Sequence, residues 1–204
     1  MKILIAGAGG LSSEILKQLK FFKYFITVVD YDLVEVTNLN RTLFYTEKNI
    51  NHLKTHVLNN LGYKTVDNKI QEVDLNNYDC IISTVDNLES RMDINLLFKD
   101  SNTPYLIDVG VKELKGHIKV VSKETSCLFC IKEVYDKEVV SCSNPRDDII
   151  GNVVYFNSIM AGFVANVLLS IDKHDFLFVN LEDGLFIEKI KFKKEDDCIV
   201  CNKL

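Results

Sequence analysis

The chain has 204 residues, a length that suits one α/β domain with a small appendage and not two large domains. The hydrophobic share of 47% and the charged share of 26% are ordinary for a globular protein. The net charge of −5 argues against broad attraction to nucleic acid or anionic membrane. No apolar run approaches the roughly 18 residues that a membrane helix needs. We therefore expect a cytoplasmic protein that binds neither nucleic acid nor membrane.

The first elements form a strand–turn–helix–strand unit. Lys2–Ala6 is predicted as a buried strand, Ser12–Phe22 as a helix with one apolar face, and Phe25–Val29 as the next strand, which ends at Asp30. A unit of this kind pairs its two strands in parallel. The N-terminal part of the chain therefore predicts a βαβ fold.

Helices and strands continue to alternate along the rest of the chain, without repeats or a linker. The predicted fold is an α/β, Rossmann-like, doubly wound and mostly parallel sheet with a C-terminal antiparallel hairpin, in a single domain over residues 1–204. In order, the remaining predictions are a helix over Leu53–Leu61 capped by Gly62, a strand over Cys80–Thr84, a helix over Glu89–Phe98, strands over Pro104–Val109 and His117–Val121 separated by Gly110 and Gly116, a cysteine-bearing loop within Glu124–Arg146, a helix over Val153–Ile171, and strands over Phe176–Leu181 and Leu185–Phe192 joined at Glu182-Asp183-Gly184.

The turn after the first strand is rich in glycine, with Gly7, Gly9 and Gly10. Glycine lets a backbone approach a phosphate closely, and the following helix N-terminus favours its negative charge. Asp30, at the end of the second strand, is placed to accept hydrogen bonds from ribose hydroxyls. Ser12 stands where the usual dinucleotide fingerprint has its third glycine. By itself, the turn is compatible with an NAD-dependent dehydrogenase or with a turn that binds no ligand.

Three further residues favour a triphosphate. Arg41 is one of only three arginines, Lys54 follows it, and Asp86 ends a later strand. Triphosphate chemistry requires neutralising cations and a carboxylate for a hard metal ion, whereas hydride transfer requires neither. The set therefore predicts ATP with Mg²⁺.

At this point the chain resembles the ubiquitin-activating (E1-like) superfamily, which includes the adenylyltransferases of thiamine and molybdopterin biosynthesis. The resemblance covers essentially the whole chain. Within the superfamily, the most similar member is the one that activates the ubiquitin-fold modifier. That similarity lies in three segments, Gly110-Val111-Lys112, Gly116-His117-Ile118 and Val85–Asn95. The motifs that carry it are the G-x-G-G-L turn with Glu14, the run D-x-D-x-V-x-x-T-N-L-N-R from Asp30 to Arg41, Lys54, and D-N-x-x-x-R from Asp86 to Arg91.

The resemblance implies ATP-dependent adenylation of the C-terminal carboxylate of a small ubiquitin-like protein, with release of pyrophosphate. Arg41 and Lys54 would stabilise the charge that develops in this step. The site residues it implies are Gly7, Gly9 and Gly10 at the phosphates, Asp30 at the ribose, Asn38, Arg41 and Lys54 at the triphosphate, Asp86 at Mg²⁺ and Asn87 in the nucleotide pocket.

Four of the six cysteines form two pairs, Cys127/Cys130 and Cys198/Cys201. A two-residue spacing lets both thiolates of a pair bind one tetrahedral ion, so the two pairs predict a Cys₄ zinc site in a small zinc-stapled lobe. Because the pairs are far apart in sequence, the ion would tie the C-terminus back to the middle of the domain. Two buried apolar turns or a redox pair are the alternatives.

Cys142 lies between the two pairs, in a polar loop with Arg146, which could lower the pKa of its thiol. In the members of the superfamily that form a thioester, the catalytic cysteine lies between the zinc-binding pairs. We therefore expect thioester formation on Cys142, with a free surface thiol as the alternative. Cys80, which opens an apolar strand, is expected to be a core residue.

Three departures from the superfamily leave alternatives open. The chain begins directly on its first strand, Thr42 replaces a common glutamine, and no ubiquitin-like domain follows Cys201. We expect a minimal version that forms a homodimer or heterodimer, in which a partner could supply a missing arginine. The other hypotheses are a sulfur-carrier adenylyltransferase and a non-catalytic scaffold subunit, with the dehydrogenase last because it leaves Arg41, Lys54 and Asp86 unexplained.

Overall fold

The computed structural model describes residues 1–138 and 150–201. Eight strands and five α-helices alternate through these ranges. The strands are β1 (Lys2–Ala6), β2 (Phe25–Val29), β3 (Lys64–Val66), β4 (Cys80–Ser83), β5 (Tyr105–Lys112), β6 (Lys115–Val121), β7 (Phe176–Asn180) and β8 (Phe186–Ile190). The helices are α1 (Gly10–Leu19), α2 (Lys54–Asn60), α3 (Leu88–Lys99), α4 (Lys132–Glu138) and α5 (Ile150–Leu169).

All eight strands join one sheet in the order β3-β2-β1-β4-β5-β6-β7-β8. The pairs from β3 to β5 are parallel, and those from β5 to β8 are antiparallel. The predicted Rossmann-like sheet with a C-terminal antiparallel hairpin is confirmed. The strand order reverses at β1, because β2 lies on one side of it and β4 on the other. At such a switch point a crevice forms at the carboxyl ends of the strands.

The two faces of the sheet bury different side chains of the same strand. In β1, Ile3 and Ile5 pack with α1 and α5, whereas Leu4 and Ala6 pack with α3 and the cysteine-bearing end of the chain. This alternation follows from the two-residue period of a strand. The cysteines therefore belong to the core of one sheet face. No helix in the described ranges is long and apolar enough to cross a membrane.

The sequence-based prediction is wrong about Gly110 and Gly116, which lie inside β5 and β6 and do not separate them. A Cβ at Gly110 would lie 2.2 Å from the His117 ring, and one at Gly116 would lie 2.9 Å from Met160. Both positions pair across the β5–β6 hairpin, Gly110 with His117 and Val111 with Gly116. The glycines thus make room for large neighbours within a continuous ladder.

Other elements also differ from the predictions. The first helix begins at Gly10, at the glycine turn itself, two residues earlier than predicted. Residues 124–138 contain the helix α4 where a loop was expected. Strand β3 was not predicted, because its three residues are too few to show a period.

Candidate functional site

The glycine turn connects β1 to α1, and its three glycines have different surroundings. Gly7 has a φ of +103°, and a Cβ there would lie 2.8 Å from the Thr84 hydroxyl. A Cβ at Gly10 would lie 2.8 Å from the Arg41 carbonyl oxygen. At Gly9, the N-cap of α1, a Cβ would meet no atom within 4 Å, and no side chain caps the helix. The N-terminus of α1 is therefore uncapped and has open space at Gly9, as an anion site requires.

Asp30 ties the end of β2 to this turn. Its carboxylate accepts hydrogen bonds from the Ala8 amide at 2.6 Å and from the Asp32 amide at 2.7 Å. Burial raises the pKa of Asp30, while the nearby Lys54 ammonium partly offsets that effect. Because each carboxylate oxygen has a second lone pair, Asp30 can still accept a hydrogen bond from a ligand hydroxyl.

Lys54 begins α2 and lies 2.9 Å from the Asp32 carboxylate, with its own side chain only 10% exposed. Asp86 is exposed in the loop between β4 and α3 and lines the same cavity. Asn87 follows it as the N-cap of α3 and accepts a hydrogen bond from the Ser90 amide at 2.8 Å. A cation and a carboxylate thus face the same space.

These groups line one cavity of about 400 Å³ at the carboxyl ends of the parallel strands. The structure brings together every residue that the sequence assigned to nucleotide and Mg²⁺. They are Gly7, Gly9, Gly10, Asp30, Asn38, Arg41, Lys54, Asp86 and Asn87.

Sequence reasoning missed several residues of this cavity. Asn157, buried on α5, lines it, as do Lys69 and Gln71 from the segment after β3. No local pattern distinguishes these residues, because their position depends on how distant elements pack. Thr42, one of the departures from the superfamily, has a structural role. Its hydroxyl donates a hydrogen bond to the Ser13 hydroxyl at 2.8 Å and so fixes the Arg41 segment on α1.

A buried polar network adjoins the cavity. One oxygen of Asp108 accepts hydrogen bonds from Arg91 at 2.7 Å and Tyr135 at 2.8 Å and lies 3.0 Å from the His117 ring. Burial alone would raise the pKa of Asp108, but the Arg91 guanidinium and His117 outweigh it and hold that pKa well below its usual range. Burial lowers the pKa of His117. The network joins α3, β5, β6 and α4 behind the cavity wall.

The four paired cysteines meet on the other side of α3. Their sulfurs lie within 4.8 Å of one another, with Cys127–Cys130 at 3.8 Å, Cys127–Cys198 at 3.7 Å and Cys130–Cys201 at 3.6 Å. A tetrahedral zinc ion with Zn–S bonds of about 2.3 Å requires sulfurs about 3.8 Å apart. The four sulfurs therefore fit a tetrahedral Cys₄ metal site.

Of the two remaining cysteines, the structure describes only Cys80. Cys80 is fully buried in β4, and burial raises the pKa of its thiol, as suits an inert core residue. Cys142 and Arg146 lie outside the described residues, so the thioester role of Cys142 stays a prediction.

The Rossmann-like sheet, the glycine-lined cavity at its switch point and the Cys₄ cluster define an α/β protein of the E1-like kind. The sequence profile of the ThiF family matches residues 1–179, and the chain belongs to this family.

Its relatives include subunits of activating enzymes. The chain is 35% identical over 146 residues to the NEDD8-activating enzyme E1 catalytic subunit of Schizosaccharomyces pombe, which covers 63% of this chain and 33% of that protein. It is 27% identical over 158 residues to the SUMO-activating enzyme subunit 2 of Dictyostelium discoideum, covering 70% of this chain and 24% of that protein. The chain thus spans about a third or less of these relatives.

Solved structures show the same fold. The crystal structure of E. coli MccB with ATP matches with a TM-score of 0.74 at 16% identity, over 98% of this chain and 66% of that chain. MccB has also been solved with AMPCPP and MccA, where the TM-score is 0.71 at 18% identity over 98% of this chain and 66% of that chain.

Proposed function

We propose that this chain uses ATP and Mg²⁺ to adenylate the C-terminal carboxylate of a small ubiquitin-like protein or peptide, and then forms a thioester on Cys142. The observation that carries the proposal is the convergence of the nine nucleotide-site residues on one cavity of about 400 Å³. The sequence relatives support it, since they are subunits of NEDD8- and SUMO-activating enzymes, and so does the MccB structure with ATP.

A second cavity supplies a place for the carboxylate substrate. It measures about 270 Å³ and is lined by apolar side chains of the antiparallel strands, among them Phe176, Phe178 and Ile190. Val111 lines both cavities, so the two adjoin at β5. An extended peptide tail in the apolar cavity would therefore reach the nucleotide cavity with its terminal carboxylate first.

The chemistry follows from the charges. A carboxylate oxygen of the substrate attacks the α-phosphorus of ATP, the bond to the β-phosphate oxygen breaks, and pyrophosphate leaves. Arg41 and Lys54 neutralise the charge that builds on the phosphates, and the free amides of α1 hold them. Mg²⁺ would be held by Asp86 together with phosphate oxygens, and it would supply further charge neutralisation. The protein itself supplies no nucleophile to this step.

ATP–pyrophosphate exchange tests the adenylation. We expect exchange that depends on a small protein ending in Gly-Gly with a free carboxylate. ATP binding without exchange for every candidate would favour a scaffold subunit and contradict the proposal. The same exchange assay with ubiquitin-like modifiers, including the ubiquitin-fold modifier, and with sulfur-carrier proteins would identify the class of the substrate. We propose a ubiquitin-like modifier, because the sequence relatives activate such modifiers.

The contribution of Lys54 can be isolated with a matched lysine. Lys54→Ala should lower the exchange rate by about 10²-fold, because it removes a buried cation that faces the triphosphate. Lys48→Ala, at an exposed lysine of a neighbouring segment, should leave the rate unchanged. Equal rates for the two variants would remove Lys54 from the mechanism.

In the second step, the sulfur of Cys142 attacks the acyl carbon of the adenylate, the bond from that carbon to the phosphate oxygen breaks, and AMP and the thiol proton leave. This step is tested at Cys142. In the parent chain we expect a conjugate with the modifier that a thiol reductant cleaves. Cys142→Ala should abolish this conjugate while exchange continues. A variant that still conjugates normally would show that Cys142 is not the acceptor, and a sulfur-carrier reaction would then be the better reading.

A further inference from the structure

Lys119 is a buried charged residue that the adenylation chemistry does not use. It lies on β6, in the strand that leads toward the first cysteine pair, and its side chain is fully buried. Its ammonium donates to the Ser126 hydroxyl at 3.0 Å and forms an ion pair with Asp175. A lysine is almost never fully buried unless a partner compensates its charge. Its retention here therefore calls for a specific use.

The contacts of Lys119 reach both cysteine-bearing arms, by which we mean the segment that leads to Cys127 and the segment that leads to Cys198. Ser126, itself fully buried, is the residue directly before Cys127. On the other side, the second oxygen of Asp175 accepts a hydrogen bond from the Phe192 amide at 2.7 Å. Phe192 opens the segment that runs from β8 to Cys198. A single ammonium–carboxylate pair thus connects the segment of the first cysteine pair with the segment of the second.

The charge of this lysine also suits its surroundings. Four thiolates around one divalent ion leave an excess of negative charge in a buried place. Burial lowers the pKa of Lys119, while Asp175 and the sulfurs of Cys127 and Cys130 favour its charged form. The ammonium bonds the residue next to Cys127, so its charge lies near the cluster.

We propose that Lys119 is a positioning residue of the metal centre: it holds the two cysteine-bearing arms in place before the ion arrives and offsets the charge of the thiolates afterwards. The role is independent of the adenylation proposed above and depends only on the Cys₄ site. It adds to the four metal ligands a supporting group that tunes metal affinity.

Metal binding in the full chain tests this role without an activity assay. Lys119→Gln removes the charge and keeps a hydrogen-bond donor for Ser126 and Asp175. We expect the zinc affinity of the variant, measured by competition with a chelator, to be about tenfold or more weaker than that of the parent. The variant should also need correspondingly more Co²⁺ to reach the parent's thiolate-to-cobalt absorption. Lys115→Gln is the control, because Lys115 lies on the same strand and pairs with Glu182 at the surface at 2.7 Å. It should bind metal as the parent does.

The contrary outcomes are distinct. If Lys119→Gln competes with the chelator as the parent does, the proposal is wrong. If it lowers the melting temperatures of the metal-loaded and metal-stripped chains equally, with unchanged metal affinity, the ion pair only supports the fold and the proposal is likewise wrong. Should Lys119→Gln fail to fold, Ser126→Ala decides, since it cuts the link to Cys127 alone: weaker zinc retention supports the role, and parent-like retention overturns it. A parent chain that binds no metal would overturn the centre and this role together.

Discussion

At the scale of single residues, the three glycines of the first turn are needed for different reasons. Gly7 is required by a positive φ, and Gly10 by the close approach of the Arg41 carbonyl oxygen. Gly9 is in an ordinary extended conformation with open space above it. The fold therefore explains two of the glycines, and the proposed approach of a phosphate would explain the third.

Gly9→Ala should leave the melting temperature within about 2 °C of the parent, because its Cβ meets no protein atom and its backbone angles suit alanine. The same Cβ would stand where a phosphate must approach the α1 amides, so we expect ATP affinity to fall at least about tenfold. Calorimetric titration with ATP and thermal melting give the two values. Gly7→Ala is the opposite control and should destabilise the chain, since its φ is +103°. Normal ATP binding by Gly9→Ala would contradict the phosphate role.

His117 makes stability depend on pH. Burial lowers the pKa of His117 from the 6.5 of the unfolded chain, so below pH 6.5 the unfolded chain gains a proton that the folded chain does not. The unfolding free energy should therefore be fully retained above pH 6.5 and fall as the pH drops toward the folded-state pKa. Denaturant melts at several pH values should show a shallower decline for His117→Gln. His56→Gln, on an exposed face of α2, should keep the parent's slope. Parallel slopes for all three chains would exclude His117 as the cause.

At the scale of elements, helix α3 connects the glycine-lined cavity with the Cys₄ cluster. Its N-terminus carries the Asn87 cap, and Arg91 reaches Asp108 from the next turn. The side-chain oxygen Oδ1 of Asn95 accepts a hydrogen bond from the Leu128 amide at 3.1 Å, inside the first cysteine segment. The helix was predicted from its own residues, but its contacts were not. Their partners come from strands and segments that no local period relates to the helix.

Asn87 allows the cap of α3 and the nucleotide site to be separated. Asn87→Ala should cost about 1 kcal/mol of stability, because it removes the acceptor for the Ser90 amide. Asn87→Asp keeps a good cap and should retain stability. It also adds a negative charge to the cavity wall, so ATP affinity should fall about tenfold or more. Chemical denaturation and ATP titration measure the two effects, and unchanged ATP affinity in Asn87→Asp would place Asn87 away from the phosphates.

At the scale of the whole molecule, the Cys₄ cluster brings the end of the chain back to its middle. Cys127 and Cys130 follow β6, while Cys198 and Cys201 come after the last strand, and all four pack on the core beneath α3. The free energy of binding an ion there would offset the entropic cost of closing the loop formed by the C-terminal third of the chain.

Loss of one ligand should therefore unfold the C-terminal strands first. Cys198→Ser should lower the melting temperature by roughly 2–4 °C for each kcal/mol of metal-binding energy lost, and the metal content should fall below about one zinc per chain. Ile199→Ser is the matched control, because Ile199 lies in the same cysteine turn and is 75% exposed. It should keep both metal and stability. A zinc-free parent with the same melting temperature would contradict the structural role of the ion.

The sequence by itself determined the elements and motifs whose signal is local. The βαβ start, the run from Asp30 to Arg41 and the cysteine spacing each lie within a short stretch, where period and side-chain chemistry suffice. Only the tertiary structure decided which distant residues meet: Asn157 at the nucleotide cavity, the Asp108 network and the Lys119–Asp175 pair. Strand order and the packing of helices on the two sheet faces create those contacts, and neither is written in any one segment.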